Sequence, residues 1–155
     1  MDGLRPPAGE KGVDLALGGP TERCLVEGDA HLLERAVENL LDNALRYTPS
    51  GGRIAVQWQA AADRVTFTVE DTGPGIAAGD LSHLFDPLYK GDASRNPEAR
   101  GVGLGLSIAR RILRAHGGDL TAANREGGGA VFTGWIATSS MAGEQGEPIG
   151  IAGER

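Results

Sequence analysis

The chain of 155 residues is poor in several residue types, and each shortage excludes something. Cys24 is its only cysteine, which leaves no internal disulfide and no cysteine-based zinc site, and fits a reducing compartment. Lys11 and Lys90 are its only lysines. No block of basic residues forms, and the net charge is −6, so the stripe of positive charge that a nucleic-acid partner would require is missing. No apolar run approaches the roughly 18 residues of a membrane helix, and the N-terminus has no signal-peptide core. The expectation is a soluble, cytoplasmic domain that makes no membrane contact of its own. Aromatic residues are scarce too, at 5 %, and all fall between Tyr47 and Trp135.

Glycine is the residue in excess, at 25 positions, against an average usage near 7 %. No G-x-y repeat accounts for it. Glycines without large neighbours cluster at both ends, which read as a linker (1–12) and a flexible tail (139–155) around one domain, 13–138. Val13–Leu17 and Cys24–Val26 read as short strands. Asp29 is an N-cap for a helix running to Tyr47, in which Leu32, Ala36, Leu40 and Ala44 form one apolar row. Ile54, Val56 and Trp58 alternate, as do Val65, Phe67 and Val69, which predicts a hairpin with one buried face. After a long connection, Leu104–Ala115 returns to helical spacing and stops at His116-Gly117-Gly118. A second hairpin follows over Leu120–Ala123 and Ala130–Thr138. The order predicts an α+β, two-layer α/β sandwich, with helices on one face of a mostly antiparallel mixed sheet.

Four clusters could carry chemistry. Asn39, Asn43 and Arg46 lie at i, i+4 and i+7 on one helix face, with Arg35 at its edge. They read either as a solvated polar face or as a phosphate and Mg²⁺ face, because amide oxygens are neutral, hard ligands and arginine pairs with phosphate. Asp71-Thr72-Gly73-Pro74-Gly75-Ile76 follows a strand. It is either a strand-ending turn or a place where backbone approaches a flat ligand while Asp71 accepts from an exocyclic amine. Gly101-Val102-Gly103-Leu104-Gly105-Leu106 opens a helix, so it is a flexible hinge or an anion site. It is neither a Walker A loop nor a dinucleotide fingerprint. Leu84-Phe85-Asp86-Pro87-Leu88-Tyr89-Lys90 combines a small apolar cluster with the one lysine near the other motifs.

Together the four clusters resemble the catalytic ATP-binding domain of bacterial sensor histidine kinases, in the superfamily that also holds DNA gyrase, heat-shock chaperone and mismatch-repair ATPases. Glu38–Pro49 looks like the N box, Asp71–Ile76 the first glycine box, Leu84–Lys90 the F box and Gly101–Leu106 the second glycine box. The resemblance implies that Asn43 ligates Mg²⁺ and that Asn39 assists at the phosphates of ATP. It puts Arg46 and Lys90 near the phosphates and Tyr47 beside the adenine. Asp71 would bind the adenine amine, with Gly73, Gly75 and Ile76 around the base. Residues 91–100 would form a lid, and Gly101, Val102, Gly103, Leu104, Gly105 and Leu106 would wrap the phosphates. Leu88 stands where the family usually has an aromatic, and Val102 where threonine is common.

Relatives that hydrolyse ATP with water resemble one another in carrying glutamate, a general base, four residues before the Mg²⁺ asparagine. Here that position is Asn39, and Glu38 is turned about 100° away. The resemblance therefore implies γ-phosphoryl transfer to a protein nucleophile. Asn39, Arg46 and Lys90 would attend the transfer. The acceptor would be a histidine on a dimerisation domain that this chain lacks, with a response regulator downstream, at the cytoplasmic end of a membrane-anchored kinase. His31, His83 and His116 do not match the family's acceptor motif, so self-phosphorylation of this chain is not expected. The alternatives are a serine kinase of the anti-sigma-factor type, or a nucleotide-dependent interaction module without transfer activity.

Overall fold

A computed structural model describes residues 5–21, 24–90 and 103–138. The element order is α1 (Arg5–Lys11), β1 (Asp14–Gly18), α2 (Ala30–Tyr47), β2 (Arg53–Ala60), β3 (Arg64–Asp71), α3 (Gly105–Ala115), β4 (Asp119–Asn124) and β5 (Ala130–Ala137). The strands form one mixed sheet in the order β1-β2-β3-β5-β4. Only β1 and β2 run parallel; the other three pairings are antiparallel.

Register explains the core. Val56 lies opposite Val69, Val69 opposite Phe132, and Phe132 opposite Ala122, so one row crosses four strands on one face. Beside it, Trp58, Phe67, Gly134 and Leu120 make a second row. Gly134 is the small member by necessity, since a Cβ there would lie 2.4 Å from the Phe67 ring. This face packs against Ala36, Leu40, Leu41 and Ala44 of α2 and Ala109, Ile112 and Leu113 of α3 in a single core. The strand period of two then carries consequences past the apolar residues. Val65, Phe67 and Val69 face inward, so Asp71 does too, opposite the buried Ile54.

Capping follows the sequence pattern. The Asp29 carboxylate accepts from Leu32 N–H at the start of α2, and Thr48 closes its end with both N–H and Oγ1 bonded to Ala44 O. His116 ends α3, and Gly117 supplies the left-handed residue after it, with φ +76. His116 also ties the two helices together. One ring nitrogen lies 2.7 Å from Ile112 O, and Nε2 accepts from Asp29 N–H at 3.0 Å.

Two segments differ from the sequence reading. Residues 24–26 belong to no strand. Cys24 and Val26 do pack against the core while Leu25 is exposed, so the alternation marks burial, but β1 is the sheet edge and pairs only with β2. Residues 5–11 form α1, which the pattern did not show because two prolines and a glycine crowd seven positions. Lys11 Nζ donates to Leu45 O and, at 3.2 Å, to Arg46 O. A cation there satisfies the carbonyl end of α2.

Candidate functional site

The clusters converge on a cavity of about 390 Å³ between α2, the end of β3, the 75–90 segment and the start of α3. Asn39, Asn43, Arg46 and Tyr47 line it from α2, Asp71, Gly75 and Ile76 from the end of β3, and Lys90, Gly103, Leu104, Gly105 and Leu106 from the far side. Gly73 stands behind Asp71. Gly101, Val102 and the expected lid, 91–100, lie outside the described residues. Sequence reading also missed lining residues. Asp80, Ile108, Ala130 and Phe132 all reach the cavity, and the last three sit in elements whose apolar pattern signals core alone.

The floor is apolar, built from Ile76, Leu84, Ile108 and Phe132, and Asp71 is the acid set into it. Its side chain is nearly inaccessible, at 3 % exposure. It accepts from Gly73 N–H at 2.8 Å and Ala130 N–H at 3.4 Å. Burial pushes the carboxyl above its ordinary value, and those two N–H groups together with the Arg125 charge oppose the rise. A charge that costs desolvation is retained where it serves a ligand. Gly73 has no room for a side chain, because a Cβ would lie 2.7 Å from Tyr47 O.

On α2, Asn39 has a buried amide nitrogen with no hydrogen-bond partner among the described residues. Such an orphan donor is costly in a closed protein and calls for an acceptor brought from outside. Opposite it, α3 begins at Leu104 with no side-chain cap, so its first N–H groups are open to an anion. Gly105 sits over Asn39, where an added Cβ would lie 3.7 Å from the Asn39 side chain. Arg46 and Lys90 add positive charge at the rim. An apolar floor with one buried acceptor, and a rim of amide donors and cations, suits a ligand that is flat and amine-bearing at one end and polyanionic at the other.

The F-box segment closes one side. Leu88 N–H donates to Gly103 O at 2.9 Å, and Leu88 takes a left-handed conformation, φ +64, to do so. Tyr89 OH donates to Asp80 at 2.5 Å. Phe85 is held from α3 by the Arg110 guanidinium, 4.8 Å from its ring centre. Arg110 is itself fixed by Asp119, which Arg114 also grips. A second concavity of similar volume lies on the open face of the sheet, over Gln57, Gln59, Thr66 and Thr68. Its one charged group, Glu70, is already paired with Arg125.

A family model for histidine kinase-, DNA gyrase B- and HSP90-like ATPases matches residues 28–139. The chain belongs to that family. Within it the similarity is to the ATPase domain of sensor histidine kinases. The sensor protein CutS of Streptomyces coelicolor is 40 % identical over 133 residues, which cover 85 % of this chain and 32 % of CutS. The chain thus spans about a third of that relative's length. Full-length ShkA in complex with AMPPNP superposes with a TM-score of 0.74 at 28 % identity, over 90 % of this chain and 29 % of that one. ThkA in complex with the response regulator protein TrrA gives 0.73 at 26 % identity, over 88 % and 37 %. The family binds ATP, and the cavity has the two unlike ends that such a ligand needs.

The three histidines lie apart from the cavity. His31 is exposed, His83 pairs with Asp86 at 2.9 Å, and His116 is committed to its two helix contacts. Among the described residues no helix is long and apolar enough to cross a membrane.

Proposed function

We propose that this chain positions Mg-ATP for transfer of the γ-phosphoryl group to a histidine of a separate dimerisation domain, as the cytoplasmic catalytic part of a two-component sensor kinase. The observation that carries the reading is the pairing of two groups in one cavity. Asp71 is a buried carboxylate bonded by two backbone N–H groups, and among the described residues the buried Asn39 amide nitrogen is a donor with no acceptor. ATP offers the complement of both.

In this reading Asp71 accepts from the exocyclic amine of adenine. Ile76, Leu84 and Phe132 exclude water from the ring, and Tyr47 stands beside it. Asn39 and the first N–H groups of α3 donate to phosphate oxygens, while Arg46 and Lys90 balance their charge. Asn43, which lines the cavity, would hold Mg²⁺ through its amide oxygen, and the ion would neutralise charge on the phosphates. Gly103, Leu104, Gly105 and Leu106 form the phosphate wrap.

No group at the Asn39 position can take a proton from water, and Glu38 is exposed and away from the cavity. The chain therefore holds ATP and hydrolyses it slowly, and the nucleophile comes from the partner. ShkA bound to AMPPNP and ThkA bound to a response regulator support the nucleotide and the downstream partner by similarity.

The test supplies radiolabelled Mg-ATP and a separate histidine-bearing helical domain. Acid-labile label on that domain, with none on this chain, is the expected result. Label on a partner serine, or tight nucleotide binding with no transfer to any supplied histidine domain, would replace this reading with a serine kinase or an interaction module. Brisk hydrolysis by the chain alone, lost in Glu38→Gln, would overturn the assignment of Asn39.

A further inference from the structure

The β4–β5 turn reads in the sequence as an ordinary hairpin loop, yet with the residues flanking it the turn grips both ends of the first glycine box, Asp71 and Ile76. The Asn124 side chain pairs with Ile76 as a strand neighbour would. Its Oδ1 accepts from Ile76 N–H at 2.6 Å and its Nδ2 donates to Ile76 O at 2.7 Å. Next along, Arg125 Nη1 donates to Asp71 O at 3.3 Å, while its Nε donates to Glu70 at 3.2 Å. Gly129 is pressed against the same peptide, where a Cβ would lie 1.9 Å from Asp71 O. Ala130 N–H then donates to the Asp71 carboxylate. A loop distant in sequence thus holds both the acid and the apolar residue between which a base would sit.

We propose that Asn124 is a positioning residue for base recognition, and that it sets the preference for adenine by fixing Ile76 relative to Asp71. The proposal rests on the nucleotide reading above. The Asp71 carboxylate distinguishes adenine, which presents an amine donor, from guanine, which presents an acceptor at that edge. That discrimination needs the ring held in one plane and at one depth. Ile76 defines the plane, and Gly75 before it is left-handed, φ +78, and close enough to Asn124 that a Cβ would lie 2.9 Å from Oδ1. With the tether cut, a flexible glycine pair alone would orient Ile76. Apolar contact with any purine would survive, and the directional bond to Asp71 would weaken.

Asn124 is exposed at the end of an edge strand, so Asn124→Ala leaves the core intact. Asn124→Asp keeps the acceptor and removes the donor. Mg-ATP and Mg-GTP affinities of both variants are measured by calorimetry, with hydrogen exchange at the Ile76 amide as a second readout. In Asn124→Ala two lost hydrogen bonds predict roughly a tenfold loss of ATP affinity, little change for GTP, and faster exchange at Ile76, whereas Asn124→Asp, which keeps the acceptor for Ile76 N–H, should lose less and leave that exchange slow. Equal losses for both nucleotides would reduce Asn124 to a structural role and overturn the proposal, as would an unchanged ATP preference. A wild-type chain that binds neither nucleotide, or both alike, would instead refute the nucleotide reading itself.

Discussion

Removing the side chain of Asn39 should make the free protein more stable and the nucleotide-bound protein less so. The buried amide nitrogen of Asn39 has no partner among the described residues, and an unsatisfied buried donor costs about 1–3 kcal/mol. Asn39→Ala removes that cost and adds about 0.5 kcal/mol of helix propensity in the middle of α2. Against this stands the loss of carboxamide packing beside α3, which is loose, since even a Cβ added at Gly105 would lie 3.7 Å from the Asn39 side chain. A net gain of about 1 kcal/mol corresponds to a rise in Tm of about 3–5 °C for a domain of this size. With ligand the balance turns. A hydrogen bond to a charged phosphate is worth about 2 kcal/mol, so the variant should bind Mg-ATP about thirtyfold more weakly. At a hundred times the wild-type Kd, ligand adds about 2.7 kcal/mol to the wild type and about 0.9 kcal/mol to the variant. The order of the two melting temperatures therefore inverts between the free and the saturated state. Differential scanning fluorimetry with and without Mg-ATP reads both. A free variant that melts at or below wild type would show that the amide is already satisfied, and parallel shifts on adding ligand would show that Asn39 does not touch phosphate.

Asp71 carries a pH signature. Its folded value is raised above the ordinary 3.8, so the folded state binds the proton more tightly than the unfolded chain. Stability of the free protein should fall as pH rises from about 3.8 through the raised value, and Asp71→Asn should abolish that fall in urea titrations across pH. The same substitution should make ATP binding weak and flat with pH, whereas wild-type affinity drops on acidification. Asp119 has the opposite sign. Its bonds to Arg110, and then Arg114, hold its carboxyl well below the usual range, so it stabilises above about pH 4 and the effect is lost only in strong acid. Asp119→Asn should cost about 1 kcal/mol at neutral pH, allowing for water beside the exposed Arg114, measured as a lower urea midpoint. Gly129→Ala should cost at least about 3 kcal/mol, since the new Cβ meets Asp71 O and the backbone is left-handed. Gly79→Ala, with nothing within 4 Å, should stay within about 0.5 kcal/mol of wild type. Chemical denaturation of the pair separates the glycines that the fold requires from those it does not.

The elements with a strong period were legible in the sequence because burial imposes that period directly. The helix from Ala30 to Tyr47, its Asp29 cap, both hairpins and the helix from Gly105 follow from apolar spacing. Where burial and hydrogen bonding separate, the reading failed. Cys24 and Val26 alternate into the core without a neighbouring strand, and α1 is too short and too rich in proline and glycine to show a period. Its contribution, Lys11 on the carbonyl end of α2, depends on a residue 34 positions away in sequence.

The site divides along the same line. Local spacing was enough to put Asn39, Asn43 and Arg46 on one face, and the order of four motifs carried the resemblance to histidine-kinase ATPase domains. The observed β3 runs on to Asp71 and turns it inward with Val65, Phe67 and Val69. Sequence alone therefore determined which residues are proposed to meet a nucleotide, because each belongs to a short segment with its own geometry. Only the tertiary structure decided which of them are buried without partners, and what holds them in place. Asn124, Arg125 and Ala130 grip the Asp71–Ile76 turn, and Asp119 steadies Phe85 through Arg110. Such contacts join segments tens of residues apart through single side chains, and a single polar residue in a turn leaves no periodic trace of the partner it will find when the sheet closes.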